Sequence, residues 1–215
     1  VRSVVARRRG PDDAIVCIFD RNRGLSRLTR HLQRGEDYYE TDFEAMAQRI
    51  MALAQVCDQR KPPAEVAEDW DQMHTWTFDG PKIYLFVDDL DVIPNQLTIH
   101  EPLSVGAPAG AVPASRMVQV WQPLLRHLAT ARDVGLRVIV THRATQLMAA
   151  EMNPNTVPGV FSMQNANRLL LGSSAQTDKV RGVKFEQLDP GRGYLIAARE
   201  EDCDYVQLAA PHEGM

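Results

Sequence analysis

Three short runs of apolar residues, each closing on polar or acidic side chains, constrain the fold of this chain more than any other feature. They are AIVCIF at 14–19, KIYLFVDD at 82–89 and LRVIVT at 136–141. None alternates apolar with polar residues, as a strand with one wet face would. A continuous apolar run of this kind marks a strand covered on both faces, the situation in a parallel sheet flanked by helices. The intervening segments supply the helices. Phe43, Met46, Ala47, Ile50, Leu53, Ala54 and Cys57 recur at helical spacing, and Thr41 with Glu44 forms a capping-box pattern, which predicts a helix from about 42 to 59. Val118, Trp121, Leu124, Leu125 and Leu128 predict a second helix over Met117–Ala131, with Gly135 as its stop. Strand, helix, strand in this order predicts the crossovers of a parallel α/β sheet.

The other segments are less regular. VRSVVARRRG at 1–10 reads as the closing turns of a helix, so that the chain looks truncated on that side. The residues after Asp20 read as a polar connection. Residues 60–80, with Pro62 and Pro63, read as irregular, and Asn95–Arg116, rich in Pro, Gly, Ala and Ser, reads as a long loop. Arg168–Leu171 is a fourth short strand. A turn at Pro190–Gly193 then precedes two extended segments, Tyr194–Ala198 and Tyr205–Leu208, expected to pair as a hairpin at the end of the sheet. At 215 residues, one domain accommodates all of this.

Composition narrows the function. A formal net charge of -4 gives no general attraction toward phosphate backbones, so no nucleic-acid partner is expected. Cys17, Cys57 and Cys203 are widely spaced and lack a CxxC pair, which disfavours both a disulfide framework and a zinc site. No apolar run approaches the roughly 20 residues that span a bilayer. Any membrane anchor is therefore expected outside this chain.

The acids that close the second apolar run carry the chemistry. Phe86, Val87, Asp88 and Asp89 form a Walker B-like strand end. The carboxyl edge of a parallel sheet faces the crevice where ligands bind, and a carboxylate there can hold Mg²⁺ through its waters. The second acid is placed to orient an attacking water in phosphoryl transfer. A loop start or a helix cap is the plainer reading of two such acids. Thr141, at the end of VIVTHR, either senses a γ-phosphate or satisfies backbone groups at a strand end, and His142 reads as a packing or solvent-facing residue. No GxxxxGK followed by Ser or Thr occurs, so the loop that cradles phosphates in P-loop enzymes is absent from the chain.

Three stretches carry a family resemblance: VDDLDVIPNQL at 87–97, LLRHLATARDVGLRVIVTHRA at 124–144 and LLLGSSAQTDKVRGVKFEQLDPGRGYLIAAR at 169–199. Together they resemble the C-terminal, FtsK/SpoIIIE-like ATPase domains of the EccC family of type VII (ESX) secretion. The resemblance is close over most of residues 82–210 and topological before that. It implies an α/β fold with a RecA-like P-loop NTPase core, a mostly parallel sheet flanked by helices and a C-terminal strand hairpin. Residues 1–215 would then be one ATPase domain, truncated on its N-terminal side.

The resemblance also implies ATP and Mg²⁺ as cofactors of the intact domain. Asp88 falls on the Mg²⁺-associated, nucleotide-binding acid, and Thr141 is the second nucleotide-binding candidate from its own place at the end of the neighbouring apolar run. Asp89 falls on the catalytic acid but replaces the glutamate expected there, and its shorter reach implies low activity. Expected partners are other EccC ATPase domains, further secretion subunits and small helical-hairpin substrates, in a homo-hexamer at the cytoplasmic face of the bacterial inner membrane. The alternative is a pseudo-ATPase that receives the C-terminal signal of a substrate. Met148, Met152 and Met163 would then line an adaptable groove, or else pack in the core. DNA translocation follows from fold kinship alone, and the acidic balance argues against it.

Overall fold

The computed structural model describes residues 12–100, 115–171, 179–180, 183–184, 188–189, 191–197 and 203–208. The expected opening helix lies outside the described residues. The chain forms two compact units, residues 1–142 and 143–215.

The first unit is built on a four-stranded parallel sheet of order β2-β1-β3-β6. Its strands are β1 (Ala14–Asp20), β2 (Tyr38–Glu40), β3 (Lys82–Asp88) and β6 (Leu136–Val140). The three apolar runs are therefore neighbours, as expected, while the fourth strand comes from the segment read as a polar connection. β2 is too short and too polar to announce itself. Asp37 helps to seat it, because its Oδ1 accepts a hydrogen bond from Val16 N at 2.8 Å, in line with the backbone ladder.

Paired residues in a parallel sheet share a face. On one face lie Cys17 and Phe19 beside Leu85 and Val87, all buried. Helix α1 (Phe43–Gln59) and helix α4 (Gln122–Leu128) pack against each other. The Phe19 ring lies 6.4 Å from that of Trp121, at the start of α4. α1 buries the stripe read from its periodicity, Met46 through Cys57. Its cap differs from expectation: Asp42, not Thr41, accepts from the amides of Glu44 and Ala45. A carboxylate one residue nearer to the first turn makes both bonds, so the Thr41–Glu44 pattern is not used.

On the opposite face Val16, Ile18 and Phe86 form a buried cluster, covered by Leu25, Leu32, Tyr39 and Tyr84. The connection after β1 thus covers sheet, through a 3-10 helix at Ser26–His31. Burial pushes the Cys17 thiol up to about 12 and the Cys57 thiol up to about 11, so neither offers a thiolate to a metal or substrate.

Two further expectations are corrected. Residues 60–80 contain short helices α2 (Ala64–Ala67) and α3 (Trp70–Thr75), the latter capped by Asp69. The stretch read as a loop contributes an antiparallel hairpin of β4 (Gln96–His100) and β5 (Ser115–Gln119), and residues 101–114 lie outside the described ones. Met117 and Val118 therefore sit in a strand, and the helix begins only at Gln122. Pro123 in its first turn suits a helix start there.

The second unit carries helices α5 (Ala144–Glu151) and α6 (Val157–Met163), which pack on each other. Its three-stranded antiparallel sheet, order β11-β10-β7, comprises β7 (Arg168–Leu171), β10 (Arg192–Ile196) and β11 (Cys203–Gln207). A two-stranded ladder joins β8 (Lys179–Val180) to β9 (Val183–Lys184). The expected hairpin is present, but it pairs with Arg168–Leu171 in a sheet of its own instead of extending the parallel one.

At the amino edge of the parallel sheet, Arg60 donates to Pro81 O at 2.8 Å and lies 5.3 Å from the Phe78 ring centroid. Gly135 turns into β6 with φ +74, and a Cβ there would come within 2.4 Å of that ring. Gly135→Ala is therefore expected to lower stability by about 2–3 kcal/mol, combining left-handed backbone strain with displacement of Phe78. Gly35→Ala, at φ +86 in open space, should show the backbone part alone, about 1 kcal/mol. Thermal unfolding followed by circular dichroism compares the two, and equal losses would mean that the Phe78 packing contributes nothing.

Candidate functional site

The parallel register brings the polar ends of three strands into one row. Asp20 closes β1 and pairs directly with Asp88 at the end of β3. Thr141 follows β6, one residue past the Val87–Val140 pair, and its amide continues the ladder to Val87 O at 2.9 Å. Asp88 and Thr141 were legible from sequence as strand ends. Asp20 was read only as the boundary of an apolar run.

Thr141 ties the two acids of β3 together. Its hydroxyl donates to Asp88 Oδ1 at 3.0 Å and accepts from the Asp89 amide at 2.7 Å. It therefore does satisfy backbone at the strand end, and it also holds a carboxylate. Asp89 adopts left-handed backbone angles, φ 50 and ψ 59, which cost a residue with a side chain roughly 1 kcal/mol. That turn redirects the chain, so Asp89 leaves the row of β3 and its Oδ2 accepts from Asn22 Nδ2 at 2.8 Å.

Asp20 is fully buried. Its Oδ1 accepts from Gly24 N at 3.0 Å, and its Oδ2 accepts from Leu25 N and from the Tyr39 hydroxyl, each at 2.7 Å. Burial and the bond to Asp20 push the Tyr39 phenol up to about 12. Burial is also the main cause that raises Asp88 above the ordinary aspartate value. The Thr141 hydroxyl opposes that rise, and the carboxylates of Asp89 and Asp20 add to it.

Two carboxylates and a hydroxyl at a strand edge fit Mg²⁺ held mainly through water and a ligand's phosphates, the way this ion is commonly bound. They do not form an all-protein cage: among the described residues no group of three His, Cys, Asp or Glu could hold a metal. His142, the next residue after Thr141, is half-buried. Among the described residues no helix is long and apolar enough to cross a membrane.

No protein-family model matches the chain. Relatives do. The ESX-3 secretion system protein EccC3 of Mycobacterium tuberculosis is 32% identical over 176 residues, which cover 82% of this chain and 12% of that protein. The ESX-5 secretion system protein EccC5 of Mycobacterium marinum is 29% identical over 210 residues, covering 96% and 13%. By sequence, this chain belongs with the EccC secretion system proteins.

Solved structures agree on the fold. The cytoplasmic domain of the Thermomonospora curvata type VII secretion ATPase EccC superposes with a TM-score of 0.68 at 20% identity, over 97% of this chain and 22% of that one. Thermomonospora curvata EccC (ATPases 2 and 3) in complex with a signal sequence peptide gives the same TM-score and identity, over 97% and 33%. The chain spans about an eighth of the length of the EccC proteins it matches.

Two outcomes follow from the site. A carboxylate whose folded-state value is raised favours the fold when protonated, and that contribution is lost as pH rises through the folded value. Asp88→Asn is thus expected to raise the thermal midpoint at pH 7, and the gain should vanish below the ordinary aspartate value of about 4, where wild-type Asp88 is also neutral. Asp20→Ala strands two amides and the Tyr39 hydroxyl, and is expected to cost about 2–4 kcal/mol in urea unfolding.

Proposed function

We propose that this chain is a low-activity ATPase domain of a type VII secretion motor, in which nucleotide binding is coupled to export of small helical substrates. The observation that carries the reading is the row of Asp20, Asp88 and Thr141 at the carboxyl edge of the parallel sheet, with Asp89 one residue beyond. Kinship with the ESX secretion system proteins EccC3 and EccC5 supports a place in a secretion machine. The proposed setting there is work in concert with other EccC ATPase domains and secretion subunits, in a hexamer at the cytoplasmic face of the membrane.

Within the site, Asp88 and Thr141 would hold Mg·ATP, Asp88 reaching the ion through water. Mg²⁺ bound there supplies charge neutralisation for the phosphoryl oxygens. Thr141 fixes the Asp88 rotamer, so the carboxylate is oriented before ligand arrives. Asp89 takes the place from which an acid orients the attacking water. Its side chain is one methylene shorter than glutamate and is already engaged by Asn22, and both features favour slow turnover.

A receptor role without hydrolysis is the second reading, and one observation favours it. Met148, Met152 and Met163 are exposed by 53%, 82% and 59%, so they do not pack in the core. Flexible methionines on a surface suit an adaptable apolar contact with a peptide. A relative of the same fold has been solved with a signal sequence peptide.

Phosphate release separates the readings from faster enzymes. With no phosphate loop in its sequence, the isolated chain is expected to hydrolyse ATP no faster than buffer. Turnover that Asp88→Ala abolishes would contradict that expectation and show that the row acts without a phosphate loop. Titration with a C-terminal substrate peptide, weakened by Met152→Ser but not by Asp88→Ala, would favour the receptor reading.

A further inference from the structure

The turn that follows β1 is built with more care than a connection needs. Asp20 receives the amides of Gly24 and Leu25 and the hydroxyl of Tyr39 while itself fully buried. Arg23 N returns to Asp20 O at 3.3 Å, and Arg23 adopts a positive φ of 59. Three charge-assisted bonds to one buried carboxylate fix these residues against the sheet. Gly24 is brought so close to the site that a Cβ on it would lie 3.5 Å from Asp88 Oδ2. The same turn carries Asn22, whose carboxamide donates to Asp89 Oδ2 at 2.8 Å.

An exposed hydrogen bond between mobile side chains contributes little. Here both ends are fixed. Asn22 stands on a turn anchored by Asp20, and Asp89 stands on a left-handed residue whose amide is held by Thr141. The two adjacent acids are thereby assigned to different neighbours, Asp88 to Thr141 on the β6 side and Asp89 to Asn22 on the β1 side. Without Asn22, no bond described above would set the direction of the Asp89 carboxylate.

We propose that Asn22 is a positioning residue for this site: it holds the Asp89 carboxylate on the β1 side, apart from Asp88, and Asp20 acts through the turn to keep Asn22 there. The consequence for function rests on the reading of Asp88 and Asp89 as a nucleotide site. A carboxylate engaged by Asn22 must be released, or must carry Asn22 with it, before it can orient a water. Asn22 would then set how readily Asp89 acts, with no contact of its own to the ligand.

Nuclear magnetic resonance on the isotopically labelled chain tests this directly. The Asn22 side-chain amide signals are expected to shift in Asp89→Ala and to stay in place in Asp91→Ala. Reciprocally, the Asp89 carboxyl carbon should shift in Asn22→Ala and in Asn22→Asp, which keeps the size but replaces the donor with a like charge. The Gly24 and Leu25 amides should hold their positions in every variant, since Asp20 is untouched. Unchanged Asn22 signals in Asp89→Ala would overturn the proposal. So would loss of the Gly24 and Leu25 signals in Asn22→Ala, which would make Asn22 a part of the turn's own stability. Adding Mg·ATP to the wild type is expected to move the Asn22 and Asp89 signals together. If Mg·ATP moves neither while the Asn22 signals still shift in Asp89→Ala, the nucleotide reading fails and the positioning role stands.

Discussion

In a parallel sheet all strands finish at one edge, and the register of β1, β3 and β6 makes that edge a row of polar side chains. Asp20 faces Asp88, and Thr141 follows alongside. The core beneath the row is what enforces it. A shift of one residue in any of these strands would exchange its two faces, placing Phe19 or Leu85 where Ile18 or Phe86 now lie. The apolar packing on both faces thus positions the row; Asp20 adds to stability through its turn, while burial disfavours Asp88 in its ionised form.

The row is completed by short-range polar bonds. Thr141 couples β6 to both acids of β3 through one hydroxyl, and Asp20 couples β1 to the turn that carries Asn22. Asp89 lies where these systems meet, on a strained backbone that a hydrogen bond to its amide offsets. The second unit has its own antiparallel sheet and exposes Met148, Met152 and Met163.

Much of this was legible in the residues. Continuous apolar runs identified three of the four parallel strands, because burial on both faces leaves no room for polar alternation. Helical periodicity located α1 to within a residue, and the acids closing β3 pointed to the site. What stayed hidden has physical causes. β2 is three residues long and is seated by an Asp37 side chain, which no strand pattern encodes. The β4–β5 hairpin was masked by the Pro, Gly and Ala between its arms, and the largely exposed β5 carries little apolar signal. Asp20 and Asn22 were missed because their roles depend on register and on a turn. The signal available was an acid closing the first apolar run just as Asp88 closes the second.

The central claim, that the row at Asp88 receives a metal-bound nucleotide, is tested most directly by paramagnetic broadening. Mn²⁺·ATP titrated into the labelled chain should first broaden the signals of Asp88, Asp89 and Thr141, with Asn22 and Gly24 next. Excess Mg·ATP should reverse the effect, and Asp88→Ala should remove it. Broadening that is uniform, that centres elsewhere, or that persists in Asp88→Ala would contradict the account.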